Sequence, residues 1–220
     1  MKKERKLREV IALLKDEYGE HHYTARVDPL DILVETILSQ NTTDKNSSRA
    51  FNNLKKKFPK WEILLKTDPR AIQKAIRSGG LPGIKARRIK HVLQDIKRRR
   101  GKLELDFLKG MPADEAMEFL QSIKGIGPKT ASVLLIFRFN KPMMPLDTHN
   151  LRVAKRLGII PAGMSPEKAH ELMNRMVPDE EKKSLHMNFI LHGRKICTAR
   201  NPKCNLCVLN RLCDYYRNLR

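Results

Sequence analysis

Residues Leu120–His149 read LQSIKGIGPKTASVLLIFRFNKPMMPLDTH, and the stretch contains two helix starts that look like one device. The first is a glycine-pinned turn, Lys124-Gly125-Ile126-Gly127-Pro128, with a helix opening at Lys129 and continuing through Thr130. The second is Leu146-Asp147-Thr148-His149, which opens another helix. Gly125 and Gly127 admit positive φ and a close approach of the backbone to a partner. Pro128 suits the first helical position, where its missing N–H costs nothing. The N–H groups of a helix start can point at an anion, and the helix dipole favours negative charge there.

Composition says which anion. The 220 residues carry 45 Lys and Arg against 24 acids, a formal net charge of +21. Such an excess points to a polyanion, and the anion at the turn is then a nucleic-acid phosphate. The local runs Lys55-Lys56-Lys57 and Arg98-Arg99-Arg100 read as solvated helix faces. An anionic membrane surface would attract the same charge, but no lipidation motif and no long apolar run is present, so no membrane span is expected. The N-terminus is charged from Lys2 to Arg8 and then amphipathic, unlike a secretory leader. These features read as an intracellular protein, in the cytoplasm or nucleoid of a prokaryote, and the abundance of charge is compatible with a thermophile.

Helical spacing runs through nearly the whole chain. Leu7, Val10, Ile11, Leu14 and Tyr18 define a first amphipathic helix, and Asp28-Pro29 caps a second carrying Leu33, Val34, Ile37 and Leu38. Ser39-Gln40-Asn41-Thr42-Thr43-Asp44 is a polar break before a helix that Pro59 stops. Asp68-Pro69 starts a short helix closed by Gly79-Gly80, and Leu81-Pro82-Gly83-Ile84 is a turn before the next. That turn resembles the one at Gly125. Gly83 and Lys85 are therefore either phosphate contacts or parts of a plain helix–helix turn. No segment alternates with period two, so no sheet is expected.

All four cysteines lie near the C-terminal end: Cys197, six residues, Cys204, two residues, Cys207, five residues, Cys213. Their concentration argues for one ligand set, and an intracellular setting disfavours disulfides. A single C-x2-C flanked by longer gaps leaves zinc and an iron–sulfur cluster both open. Arg200, Lys203 and Arg211 interleave the ligands, so a loop held rigid by metal would clamp a phosphate.

Taken together, the glycine turn with Lys129, the Leu-Asp-Thr-His segment and the cysteine spacing resemble the endonuclease III family of DNA glycosylases. Gly125-Ile126-Gly127-Pro128-Lys129-Thr130-Ala131 matches the family's catalytic-lysine motif, and Leu146-Asp147-Thr148-His149 matches its aspartate segment. The resemblance implies a [4Fe–4S] cluster on the four cysteines. It implies an all-α, two-domain helix-hairpin-helix glycosylase fold with a C-terminal iron–sulfur cluster loop. The expected domains are a six-helix one over 23–140, containing the hairpin, and a discontinuous one of 1–22 with 141–220, containing the loop 197–213. Asn41 falls where the family's helix-filling glutamine stands, with Gln40 beside it, so both are candidates for the residue entering the duplex. Residues 76–161 also look like the plant branch that removes 5-methylcytosine.

The resemblance further implies a bifunctional glycosylase and abasic-site lyase of base excision repair. The enzyme would act as a monomer on double-stranded DNA bearing an oxidised pyrimidine or an abasic site. A base buried in duplex must be extruded before its glycosidic bond is reached. Lys129 then attacks C1′, displaces the base and forms a Schiff base that leads to β-elimination, while Asp147 stabilises the cationic sugar. The positive end of the helix dipole disfavours an ammonium at Lys129. His149 reads as a hydrogen-bonding residue and Trp61 as core. The alternatives are a glycosylase for thymine or uracil opposite guanine or for a modified cytosine, and, in another class, a non-catalytic DNA-binding module with a structural metal. The last has no use for Lys129 paired with Asp147.

Overall fold

A computed structural model describes residues 3–219. Helices follow one another as α1 (Lys3–Tyr18), α2 (Pro29–Ser39), α3 (Asp44–Lys57), α4 (Trp61–Lys66), α5 (Pro69–Ala75), α6 (Pro82–Arg100), α7 (Ala113–Gln121), α8 (Pro128–Phe139), α9 (Thr148–Arg156), α10 (Pro166–Met176), α11 (Lys182–Lys195) and α12 (Asp214–Arg217). Among the described residues there is no strand, as the missing period-two alternation predicts. The chain divides into a continuous unit, Ala25–Asn140, and a discontinuous one, Met1–Thr24 with Lys141–Arg220.

In the continuous unit the helix starts follow from local chemistry. Asp28 accepts from the Leu30 N–H at 2.8 Å, Thr43 from the Asn46 N–H at 3.3 Å and Asp68 from the Arg70 N–H at 2.7 Å. Each satisfies a donor that the helix itself leaves open. Leu33, Val34, Ile37, Leu54, Leu93 and Leu135 are completely buried and form the core. Trp61 joins them at 3% exposure, its indole N–H donating to Asp31 Oδ1 at 2.8 Å.

Two local readings change. The helix Trp61–Lys66 has no capping side chain, because Lys60 precedes it, so the sequence carries no start signal. The turn expected over residues 81–84 is displaced one step back. Leu81 takes the left-handed conformation (φ 47°, ψ 46°) and Pro82 already opens α6, which puts Gly83 in the first helical turn.

The discontinuous unit has its own core. Leu7, Val10 and Leu14 of α1 lie in one cluster with Val153, Met173, Leu185 and Phe189. Lys6 reaches Asp214 at 2.7 Å, tying the first helix to the last. Gly158 (φ +73°) is required there, since a Cβ would stand 1.7 Å from Asp214 Oδ2.

Candidate active site and cluster centre

The turn before α8 is built from two glycines with different duties. Gly125 has φ +108°, and a Cβ on it would lie 2.9 Å from Arg88 Cγ, so both backbone and packing demand glycine. Gly127 has an ordinary φ of −93°, and a Cβ there would meet nothing within 4 Å. The fold does not need a glycine at 127; what it secures is a backbone surface bare of side chain. Gly127 caps α8 without a side-chain bond, Pro128 follows, and Lys129 is half-buried in the first turn. Two neighbours expected at DNA point inward. Ile126 is 4% exposed and belongs to the core, leaving only its backbone for a partner, and Thr130 is 2% exposed.

The α2–α3 break separates the two amides that the sequence leaves ambiguous. Gln40 is tethered at both ends: its Nε2 donates to Thr130 Oγ1 at 3.3 Å, and its Oε1 accepts from Arg88 Nη1. Asn41 is exposed and left-handed (φ 52°). Beside it stands Gly80, whose Cβ would lie 3.7 Å from the Asn41 carbonyl oxygen, and then Leu81, left-handed and 51% exposed. A branched-chain apolar residue in that conformation and facing solvent is strained, and such strain concentrates at functional sites.

Lys85 is not the surface phosphate contact its motif suggests. It is 3% exposed, and its ammonium donates to the Leu38 and Gly79 carbonyls, each at 2.7 Å. Burial, helped by the Arg88 charge, lowers its pKa. Those carbonyls end the segments that lead to Gln40-Asn41 and Gly80-Leu81, so Lys85 holds both tips from within. A Cβ on Gly83, in the first turn of α6, would lie 3.8 Å from the Gln73 side chain, ordinary contact that does not itself demand glycine.

Asp147 caps α9. Its Oδ1 accepts from the Asn150 N–H at 2.8 Å and from Asn150 Nδ2 at 2.9 Å. Burial pushes this carboxyl up, but the Asn150 donors and the nearby His186 and His149 outweigh it, and the pKa falls below the usual 3.8. The depressed value contributes stability that is fully present above the ordinary carboxylate pKa and is lost as pH falls from there through the lower folded-state value. Both bonds land on one oxygen, which orients the carboxylate while leaving Oδ2 outside that clamp. His186 supports the arrangement, its Nδ1 lying 2.8 Å from the Pro145 carbonyl and 3.3 Å from Asn150 Oδ1. His149 Nδ1 lies 3.0 Å from Arg152 Nη2, which can only donate. Arg152 also donates to the Gly193 and Cys197 carbonyls, both at 2.9 Å, joining α9 to the cysteine loop.

The four cysteines are free thiols lining one cavity together with Arg156, Ile196, Pro202 and Tyr215. Burial and the other three thiols push Cys207 up to about 11, and Cys213 moves in the same direction. Such a set needs a cationic centre to become thiolates. A zinc ion would draw sulfurs to about 2.3 Å from a single point. All four thiols line the same cavity, and four cysteine donors around one space fit an iron–sulfur cluster. Arg200 and Lys203 are exposed on the same loop. Arg88, Asn150, His186 and His192 carry no motif and escape a reading of the sequence, and Leu81 is legible only as part of a turn.

Comparison with known proteins identifies the family. Residues 34–179 match the HhH-GPD superfamily of base excision DNA repair proteins, and residues 197–213 match the iron–sulfur binding domain of endonuclease III. The chain is 43% identical over 77% of its length to a putative DNA glycosylase of Arabidopsis thaliana, of which it spans 57%. It is 36% identical to endonuclease III of Sulfolobus acidocaldarius, the match covering 84% of this chain and 81% of that one. A solved endonuclease III–DNA complex superposes over 100% of the chain and 99% of its own, with a TM-score of 0.85 at 26% identity. The chain thus belongs to the HhH-GPD superfamily, as a base excision repair glycosylase of the endonuclease III family whose C-terminal cysteines hold a [4Fe–4S] cluster.

Proposed function

We propose that the protein is a bifunctional DNA glycosylase and abasic-site lyase acting on duplex DNA that contains an oxidised pyrimidine. The observation that carries the reading is Lys129 in the first turn of α8, behind the side-chain-free Gly127. Backbone amides of that turn hold a phosphate, which brings a deoxyribose within reach of the Lys129 amine. The amine attacks C1′ as the base leaves, and the resulting Schiff base permits β-elimination on the 3′ side. Asp147, ionised and held by Asn150, stabilises the sugar cation through the same interval. The solved DNA complex of a relative supports DNA as the partner. The cluster, when bound, fixes the loop that presents Arg200 and Lys203 to phosphate.

Extrusion of the base leaves a gap in the stack that must be filled. In this reading Asn41 and Leu81 fill it, one as an amide for the orphaned partner base and the other as an apolar wedge; their exposure supports this, as does the tethering of Gln40 to Arg88 and Thr130. Leu81→Gly then separates strain from function. It relieves the left-handed leucine, at roughly 1–2 kcal/mol, against a smaller glycine entropy cost. Thermal unfolding is expected to show a net gain of about 0.5–1 kcal/mol. Base excision should nevertheless drop by roughly tenfold or more, in line with the few kcal/mol of an unstacked step. A variant with undiminished excision would remove Leu81 from the reading.

The substrate is tested by borohydride trapping on duplexes holding thymine glycol, dihydrouracil, 5-methylcytosine, a T·G mismatch, a U·G mismatch or an abasic site. Trapping on the oxidised pyrimidines and the abasic site supports the proposal. Preference for a mismatch or for 5-methylcytosine reassigns the substrate. Base release without any adduct makes the enzyme monofunctional, and binding with neither returns the chain to a binding module.

A further inference from the structure

The surroundings of Cys207 hold more than a ligand needs. His192, in the last turn of α11, is 1% exposed. Its two ring nitrogens face different groups. Nε2 lies 3.4 Å from Cys207 Sγ, and Nδ1 lies 3.1 Å from Tyr18 Oη. Proton bookkeeping sets the direction of both bonds once Cys207 is a ligand. A ligating thiolate has no proton, so the sulfur only accepts and the ring proton must sit on Nε2. Nδ1 then offers a lone pair, and the Tyr18 hydroxyl has a proton to give. Tyr18 ends α1, so residues from α1, α11 and the cysteine loop form one directed chain: Tyr18 O–H to Nδ1, then Nε2–H to Sγ. The tyrosine ring stands edge-on to the imidazole, 6.0 Å between centroids, and the Lys195 ammonium lies 5.5 Å from its centroid. Cys197 receives a different donor, the Arg156 guanidinium, with Nη1 at 3.3 Å.

We propose that His192 is a positioning residue for the [4Fe–4S] cluster, its Nε2–H···Sγ bond to Cys207 favouring the more reduced state, with Tyr18 fixing the tautomer that makes the bond. An added electron spreads onto the ligating sulfurs, and an N–H donor aimed at one of them stabilises the electron-rich form. The bond therefore raises the reduction potential, whichever oxidation-state pair the cluster uses. The proposal concerns α1, α11 and the loop, and rests on the cluster alone. It stands whatever base the enzyme removes.

The test uses the full-length protein with its cluster loaded, compared at equal iron content and equal visible absorbance. The midpoint potential is read by voltammetry for the parent, His192→Phe, His192→Gln and Tyr18→Phe. His192→Phe fills the space without a donor, and its potential is expected to move negative. Tyr18→Phe leaves the ring in place but frees the tautomer, so it moves the same way by less. His192→Gln offers an amide N–H and falls between His192→Phe and the parent. A loaded His192→Phe with the parental or a more positive potential overturns the proposal. Should His192→Phe lose its iron, Tyr18→Phe decides. A negative shift there supports the relay, and an unchanged potential at full iron content overturns it. Strand cleavage is not part of the readout, so loss of the glycosylase reading would leave the result intact.

Discussion

Lys129→Gln abolishes the borohydride-trapped adduct and lowers abasic-site cleavage by about 10³-fold or more, while DNA binding stays within about threefold of the parent. The change is conservative everywhere except at the chemistry. Glutamine is nearly as good a helix former as lysine, and Pro128 and Gly127 still open α8. The chain keeps nearly all of its positive excess, so at most one phosphate contact is lost and the salt dependence barely moves. An amide cannot form a Schiff base, so the covalent step has no substitute. Equilibrium binding and single-turnover cleavage measured on one abasic duplex separate the two effects. Cleavage and trapping at the parental rate in Lys129→Gln would mean that another amine is the nucleophile. Equal loss of binding and cleavage would make Lys129 a phosphate contact instead.

Lys85→Met has the second large effect, on stability and on catalysis through the two tips that Lys85 holds. Methionine preserves much of the apolar stem and removes the ammonium. The Leu38 and Gly79 carbonyls then lose a shared donor in a site closed to water. An unsatisfied buried acceptor costs about 1–3 kcal/mol, and relief of the buried charge offsets part of the sum. We expect a net loss of about 2–4 kcal/mol, or roughly 5–15 °C in the unfolding midpoint. Excision from damaged duplex falls further than binding to undamaged duplex, because Asn41 and Leu81 lose their common anchor. An unchanged midpoint by calorimetry would show that the ammonium does not hold those carbonyls.

The sequence reveals this molecule wherever a residue type answers a local demand. Asp28, Asp68 and Asp147 all cap helices, because each places a short oxygen acceptor at a helix start. The short helix Trp61–Lys66 goes unseen for the converse reason: a lysine stands in the capping place, and the helix is anchored by burial of Trp61 and Leu64. The two glycines of the turn look alike in one dimension, yet one is fixed by φ and by Arg88 and the other by open space. Lys85 shows the limit most clearly. A lysine beside a glycine turn in a basic chain reads as a phosphate contact, and only the path of its four-carbon stem reveals two carbonyls at the end. Likewise, nothing local marks His192, which lies 15 positions from Cys207 and 174 from Tyr18.

The discontinuity of the unit Met1–Thr24 with Lys141–Arg220 has a consequence for the newborn chain. Helix α1 leaves the ribosome well before its partners, with Leu7, Val10, Ile11 and Leu14 exposed, and those on α11 follow more than a hundred residues later. Lys6 waits longer still for Asp214, 208 positions away. Meanwhile Ala25–Asn140 can close on contacts of its own. Vectorial synthesis thus orders maturation: the lysine-bearing unit condenses early and locally, and the cysteine-bearing one comes late, through contacts of high sequence separation that form slowly. Until then an amphipathic helix travels unpartnered, a natural client for a holdase, and the four cysteines of one ligand set emerge only after it.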